Sequence, residues 1–154
     1  MSNKTPQQNK AFVLRAFDTL FNKGDYDAAA RFWSDRYIQH SAHIKPWRSG
    51  LFDVIRSLST SLRYENALTV AEGNYVIRHG RFSGVGRTNA QGQAIGWIAA
   101  DIVRMENGLL AEHTDVLQDE AATEAESPVF SFQIVQLCGS VSAKPSGHAR
   151  YKQR

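Results

Sequence analysis

Three ionisable side chains fall close together late in the chain: Asp101, His113 and Asp115, in the run Trp97-Ile-Ala-Ala-Asp101-Ile-Val-Arg-Met-Glu-Asn107-Gly108-Leu-Leu-Ala-Glu-His113-Thr-Asp115-Val-Leu-Gln118. A carboxylate or imidazole in a partly dry site can accept a proton when its neighbours move its pKa towards working pH. Two carboxylates on one concave face oppose each other's ionisation, so one can stay protonated and act as an acid. Asp115 and Asp101 are the carboxylate candidates, and His113, His40 and His79 the imidazole candidates. The chemistry they point to is acid/base catalysis without a cofactor. A metal centre built from His40, His43, Asp101 and His113 has no helical His spacing behind it, so no metal is expected. Cys138 lies near the C-terminal end and no serine sits in a nucleophile elbow, which disfavours covalent catalysis.

A hairpin must position these groups, because both residues of the Asn107-Gly108 step tolerate positive φ between two β-prone runs. Two loop lengths are open. A two-residue turn sets Asp101 opposite Thr114, whereas a three-residue connection over Glu106-Asn107-Gly108 sets Asp101 opposite His113 and Ala99 opposite Asp115. The second is preferred, because it gathers Trp97, Ala99, Val103, Met105, Leu109, Ala111 and Leu117 on one largely apolar face around Asp101, His113 and Asp115. Ionisable groups in such a setting are costly unless they pair or do chemistry. A cross-strand Asp101–His113 pair on a wet surface is the alternative.

Ahead of the hairpin, Thr5-Pro6 is a cap and first turn for an amphipathic helix whose stripe is Phe12, Val13, Ala16, Phe17, Leu20 and Phe21, ended by Asn22-Lys23-Gly24. Asp25 caps a short second helix, and Tyr37-Ile-Gln-His40 opens an extended piece. The loop from Ser41 to Arg48 brings His43 and Trp47, and a third helix carries Leu51, Val54, Ile55, Leu58 and Leu62 on one face. Strands follow over Ala67–Ala71 and Tyr75–Phe82, with Ser83–Gly96 as an exposed connection. In the second strand His79 shares parity with Tyr75 and Ile77 and is taken to point inward. His40 either caps a turn or faces the pocket. The candidate substrate-binding side chains are therefore His40, Tyr37, Trp97, His79 and Trp47. Helices followed by antiparallel strands argue for an α+β fold with three N-terminal helices packed on a curved sheet.

The 154 residues are enough for one core, placed at residues 1–126, with a C-terminal extension, 127–154. In that extension Val129–Leu137 reads as an extra strand or docking arm, and from Ser140 a basic tail is expected to be disordered. The net charge of +3 is spread rather than striped, so no nucleic-acid partner is expected. One cysteine excludes an internal disulfide framework, and no apolar run reaches spanning length. No membrane partner and a cytoplasmic location are the expectations.

Phe21-Asn-Lys-Gly-Asp-Tyr, Tyr37-Ile-Gln-His40, the Gly50-Leu51 helix start and above all Asp101 to Gln118 resemble the SnoaL-like polyketide cyclase family of the nuclear transport factor 2-like superfamily, over about Lys10 to Gln118. The resemblance implies a cone-shaped barrel in which a strongly bent antiparallel sheet wraps three helices around one deep pocket, commonly as a homodimer packed through the sheet. It also implies a cofactor-independent aldol closure on a small apolar carbonyl ligand, with an aspartate as general base and a histidine on the neighbouring strand in support. The aspartate matches Asp115, and the supporting position matches Asp101, where His113 stands ready to compensate. A Glu-His-Trp-Asp pattern common in the family is Glu112-His113-Thr114-Asp115 here.

Overall fold

Thr5 and Gln8 start the first helix with a capping box. The Thr5 hydroxyl accepts from the Gln8 amide at 3.3 Å, and the Gln8 side chain accepts from the Thr5 amide at 2.8 Å. In the computed structural model, which describes residues 4–58 and 60–121, this helix is α1 (Pro6–Phe17). It runs into a π-helical turn over Asp18–Asn22, closed by the Lys23 amide on the Asp18 carbonyl at 3.0 Å. The apolar stripe continues through the turn: Val13, Ala16, Phe17, Leu20 and Phe21 are all buried. Helix α2 (Tyr26–Ala30) is capped by Asp25, whose carboxylate accepts from the Ala28 amide at 3.0 Å, and α3 spans Trp47–Ser57.

Strands β1 (Trp33–Gln39), β2 (Arg63–Glu72), β3 (Tyr75–Ser83), β4 (Trp97–Glu106) and β5 (Leu109–Asp119) form one curled sheet in the order β1-β5-β4-β3-β2. The fold is α+β, as expected, but the sheet is mixed. β1 runs parallel to β5, because the two meet across the length of the chain rather than through a hairpin. Phe17, Phe21, Trp33, Tyr37, Tyr64 and Phe82 fill the space between helices and sheet, in edge-to-face and tilted contacts from 4.6 to 6.4 Å.

The central hairpin differs from the preferred register. Asn107 (φ 50°) and Gly108 (φ 78°) make a two-residue turn, so Glu106 faces Leu109. One residue, Ala111, is then extra on β5: Met105 pairs with Leu110 but Arg104 with Glu112. Beyond this bulge Val103 faces His113 and Asp101 faces Asp115. The turn alone would have sent His113 and Asp115 to the outer surface, and the extra residue restores their parity. Leu110 consequently takes the core place expected for Leu109, and Leu117 is exposed.

On β3 the expected parity is reversed. Val76, Arg78, Gly80 and Phe82 are the buried, inward positions, and His79 lies on the other face with Tyr75 and Ile77. No helix among the described residues is long and apolar enough to cross a membrane. The expected strand at Val129–Leu137 and the basic tail lie outside the described residues.

Candidate functional site

Asp101 and His113 are buried, at 1% and 4% exposure, and bonded to each other: His113 Nε2 lies 3.0 Å from Asp101 Oδ1. The Tyr64 hydroxyl donates to the second oxygen, Oδ2, at 3.2 Å. On the other side of the imidazole, Nδ1 is 3.1 Å from Gln39 Oε1, which also accepts from the Tyr37 hydroxyl. Gln39 Nε2 donates to Ser41 Oγ, and the Ser41 hydroxyl donates to Asp115 Oδ1. A continuous chain of side chains thus runs from half-buried Asp115 to the buried Asp101.

The direction of this chain is fixed by chemistry. A carboxylate only accepts, so Ser41 must give its proton to Asp115 and take one from the Gln39 amide nitrogen. The amide oxygen is then turned to Tyr37 and His113, which assigns the donor N–H of the imidazole to Nδ1. Nε2 is left facing Asp101.

Local structure explains the placement. The parallel register of β1 and β5 sets Gln39 beside His113, and Tyr37, two residues earlier, shares its face. Asn22, at the end of the π-helical turn, clamps the Tyr64 backbone with two bonds, to the carbonyl at 3.1 Å and from the amide at 2.7 Å. Gly80 leaves room for the Tyr64 ring, since a Cβ there would sit 2.4 Å from the Tyr64 hydroxyl. From β3, Arg78 stands opposite Asp101 in register, 1% exposed, its guanidinium 3.8 Å from the Phe17 ring and 4.2 Å from the Tyr64 ring.

Burial dominates the electrostatics. It pushes the Tyr37 and Tyr64 phenols well above the usual tyrosine range, with Asp115 and Asp101 adding for Tyr37 and Asp101 adding for Tyr64. Both hydroxyls are therefore held as protonated donors. Burial also lowers the Arg78 guanidinium, and Tyr64 and Asp101 partly oppose this.

Of the residues expected at the site, Asp101, His113, Tyr37 and Asp115 come together. Trp97 is on the same face but at the far end of β4, opposite Asp119. His40 does not face the site. Its ring meets Glu112 at 3.2 Å on the outer surface, where Arg104 also reaches Glu112 at 2.6 Å and, with His40, holds that carboxyl below the usual range. Neighbouring residues on a strand point to opposite faces, so His40 goes out where Gln39 goes in. Trp47, at the start of α3, is 56% exposed, and His79 is excluded by parity. The residues that sequence reasoning passed over are Gln39, Ser41, Tyr64, Arg78 and Gly80. Gln39 was legible from its spacing to Tyr37. Tyr64 was not, because β2 begins at Arg63, ahead of the expected strand, and carries an irregularity between Asn66 and Leu68.

A cavity of about 310 Å³ lies beside the π-helical turn, bordered by Leu20, Phe21, Ile55, Leu58 and Leu62, and another of about 330 Å³ lies on the outer face of the sheet at Val70, Tyr75 and Ile77. Neither is lined by Asp101, His113 or Asp115. No group of three or more His, Cys, Asp and Glu among the described residues is arranged to hold a metal.

Solved structures with this architecture include TsrD from Streptomyces laurentii, 21% identical with a TM-score of 0.63, covering 75% of this chain and 92% of that one. A provisionally named SnoaL-like polyketide cyclase from Jannaschia sp. CCS1 is 18% identical with a TM-score of 0.62, over 77% and 92%. A provisionally named ketosteroid isomerase from Kribbella flavida DSM 17836 is 13% identical with a TM-score of 0.62, over 90% and 93%. At these identities the likeness is one of fold. No curated protein sequence matches the chain. The SnoaL-like domain family matches residues 13–113, about two thirds of the chain, ending within β5 two residues short of Asp115, so this protein belongs to the SnoaL-like domain family and has the nuclear transport factor 2-like fold.

Proposed function

We propose that the protein is a cofactor-independent acid/base enzyme of the aldol cyclase or isomerase type, acting on a small apolar carbonyl compound. The observation that carries this reading is the buried Asp101–His113 pair joined through Gln39 and Ser41 to the half-buried Asp115. Asp115 is the group a substrate can reach, and it removes a proton α to the carbonyl. Asp101 in its protonated form, directly across the ladder from Asp115, or His113 turns from their mutual contact to donate a hydrogen bond to the developing enolate oxygen. The cyclase and isomerase names among the neighbours of this fold are consistent with proton transfer at carbon.

The test does not need the natural substrate. Deuterium incorporation α to the carbonyl of small cyclic ketones in D₂O, followed by proton NMR, reads the base directly. Asp115→Asn should slow exchange about 10²–10⁴-fold while leaving the melting temperature intact. Equal exchange in both proteins would remove Asp115 from the chemistry.

A second reading, a non-catalytic small-ligand-binding protein, is favoured by one observation: the cavity of about 310 Å³ beside the π-helical turn offers a ligand room that is lined by none of Asp101, His113 and Asp115. It predicts ligand binding with no deuterium exchange in any variant. On either reading we propose a homodimer through the outer sheet face, where Val70, Ile77 and Ile102 line up across three strands and stay exposed. Sedimentation should give a dimer for the wild type and a monomer for Ile77→Glu, and a monomeric wild type refutes it.

A further inference from the structure

Arg78 is the buried charge that the acid/base roles leave unused. The hydrogen bond it makes among the described residues is long, 3.4 Å from Nε to the neutral Asn66 Oδ1, and its Nη1 is buried with no acceptor. Its Cζ lies against the Phe17 and Tyr64 rings, which are tilted 62° to each other, so cation–π contact holds the head group in place.

Asp101, its register partner, faces it across the ladder but accepts no hydrogen bond from it. Asp101 Oδ1 is engaged by His113 and Oδ2 by Tyr64. Asp115 is taken up by Ser41 at the half-buried end. Asp101 thus favours the Arg78 charge from across the ladder without accepting a hydrogen bond from it, and the buried Nη1 is left without an acceptor among the described residues, an arrangement that is costly until one arrives.

We propose that Arg78 is an anion-binding group, and that the ligand of this site carries a carboxylate or carboxylate-like oxyanion on an apolar frame. The inference rests on the preceding reading for the place of the ligand and on the Arg78 Nη1 that lacks an acceptor for its chemistry. A buried guanidinium whose Nη1 has no acceptor suits an oxyanion better than a neutral carbonyl, because the charge-assisted bond is the stronger one. The surrounding rings of Phe17, Tyr64 and Phe21 supply the apolar frame. Phe21 also lines the cavity beside the π-helical turn, and its ring is 6.0 Å from that of Tyr64.

Benzoate and benzamide test this on the full chain, since they share a ring and a size and differ in charge. By calorimetric titration benzoate should bind about ten-fold or more tightly than benzamide, and it should shift the Arg78 Nε–H signal in the NMR spectrum. Arg78→Met should bring benzoate down to the level of benzamide, and Arg78→Lys should keep part of the preference. If Arg78→Met does not fold, the wild-type ratio and the Arg78 signal decide alone. Absent benzoate binding, equal affinities, an unmoved Arg78 signal, or a folded Arg78→Met with unchanged preference each overturn the proposal and leave Arg78 as a pillar between two rings. The outcome is separable from that of the exchange experiment. Benzoate binding without deuterium exchange removes the enzyme and keeps the anion site, and exchange that depends on Asp115 without benzoate binding does the reverse.

Discussion

Gln39→Leu is the most direct challenge to the polarised chain, because it removes the amide and nearly preserves shape. Gln39 is 5% exposed and accepts from both the Tyr37 hydroxyl and His113 Nδ1. Each buried donor stranded by the leucine costs about 1–3 kcal/mol, and burying one amide fewer returns part of this, so the net loss should be about 2–4 kcal/mol. In a domain of this length that lowers the melting temperature by about 6–15 °C. Urea unfolding gives the free energy, and long-range proton–nitrogen correlation of the His113 ring gives the tautomer. The wild type should show protonated Nδ1, and the leucine variant should lose that preference. Gln39→Glu restores an acceptor for both donors but drops the donation to Ser41, so it should recover part of the stability and the Nδ1 pattern. A leucine variant within about 0.5 kcal/mol of wild type, with the His113 pattern unchanged, would refute the assigned direction of the chain.

Gly80→Ala should cost about 1–3 kcal/mol and detach the Tyr64 hydroxyl from Asp101, because the new Cβ meets both that hydroxyl at 2.4 Å and the Glu65 carbonyl at 2.5 Å; a melting curve and a crystal structure check this. His40→Ala should leave deuterium exchange near the wild-type rate and cost at most about 1 kcal/mol, since its partner is Glu112 on the outer surface, and a large loss of exchange would restore His40 to the site. The buried phenols of Tyr37 and Tyr64 predict alkaline instability. Their folded pKa values lie above the unfolded one, so their contribution is complete below about pH 10 and is lost as pH rises, at about 1.4 kcal/mol per pH unit for each phenol. Urea unfolding above pH 10 should show that slope in the wild type and a flatter one in the Tyr37→Phe, Tyr64→Phe double variant.

Much of the architecture could be read from local chemistry. The Thr5-Pro6 cap and the Phe12–Phe21 stripe carry short-range signals and form as read, and the Asn107-Gly108 step marks the turn, which takes the two-residue form rather than the preferred three-residue one. The common face of Asp101, His113 and Asp115 was legible because apolar alternation records parity. The pairing was not, because an extra residue on β5 leaves no mark in an apolar Leu-Leu-Ala run. Arg78 was misread for a related reason. Arginine counts as a surface residue in any alternation, and here cation–π contacts hold it inside, so the strand was read half a period out and His79 was put in its place. The shared face of Gln39 and Tyr37 was legible, but the roles of Gln39 and Ser41 were not, because they orient an imidazole contributed from the other end of the chain.

The bulge at Ala111 makes the turn and the ladder one coupled length. What places His113 and Asp115 inside is the number of residues between Met105 and Glu112, not where the surplus residue sits. Moving that residue from the strand into the turn leaves the count unchanged, whereas adding or deleting one without compensation exchanges the acidic face for Thr114 and Val116. Changes of even length are therefore the ones this hairpin can absorb, and the chemistry of the interior is insured by arithmetic in a segment that touches none of it.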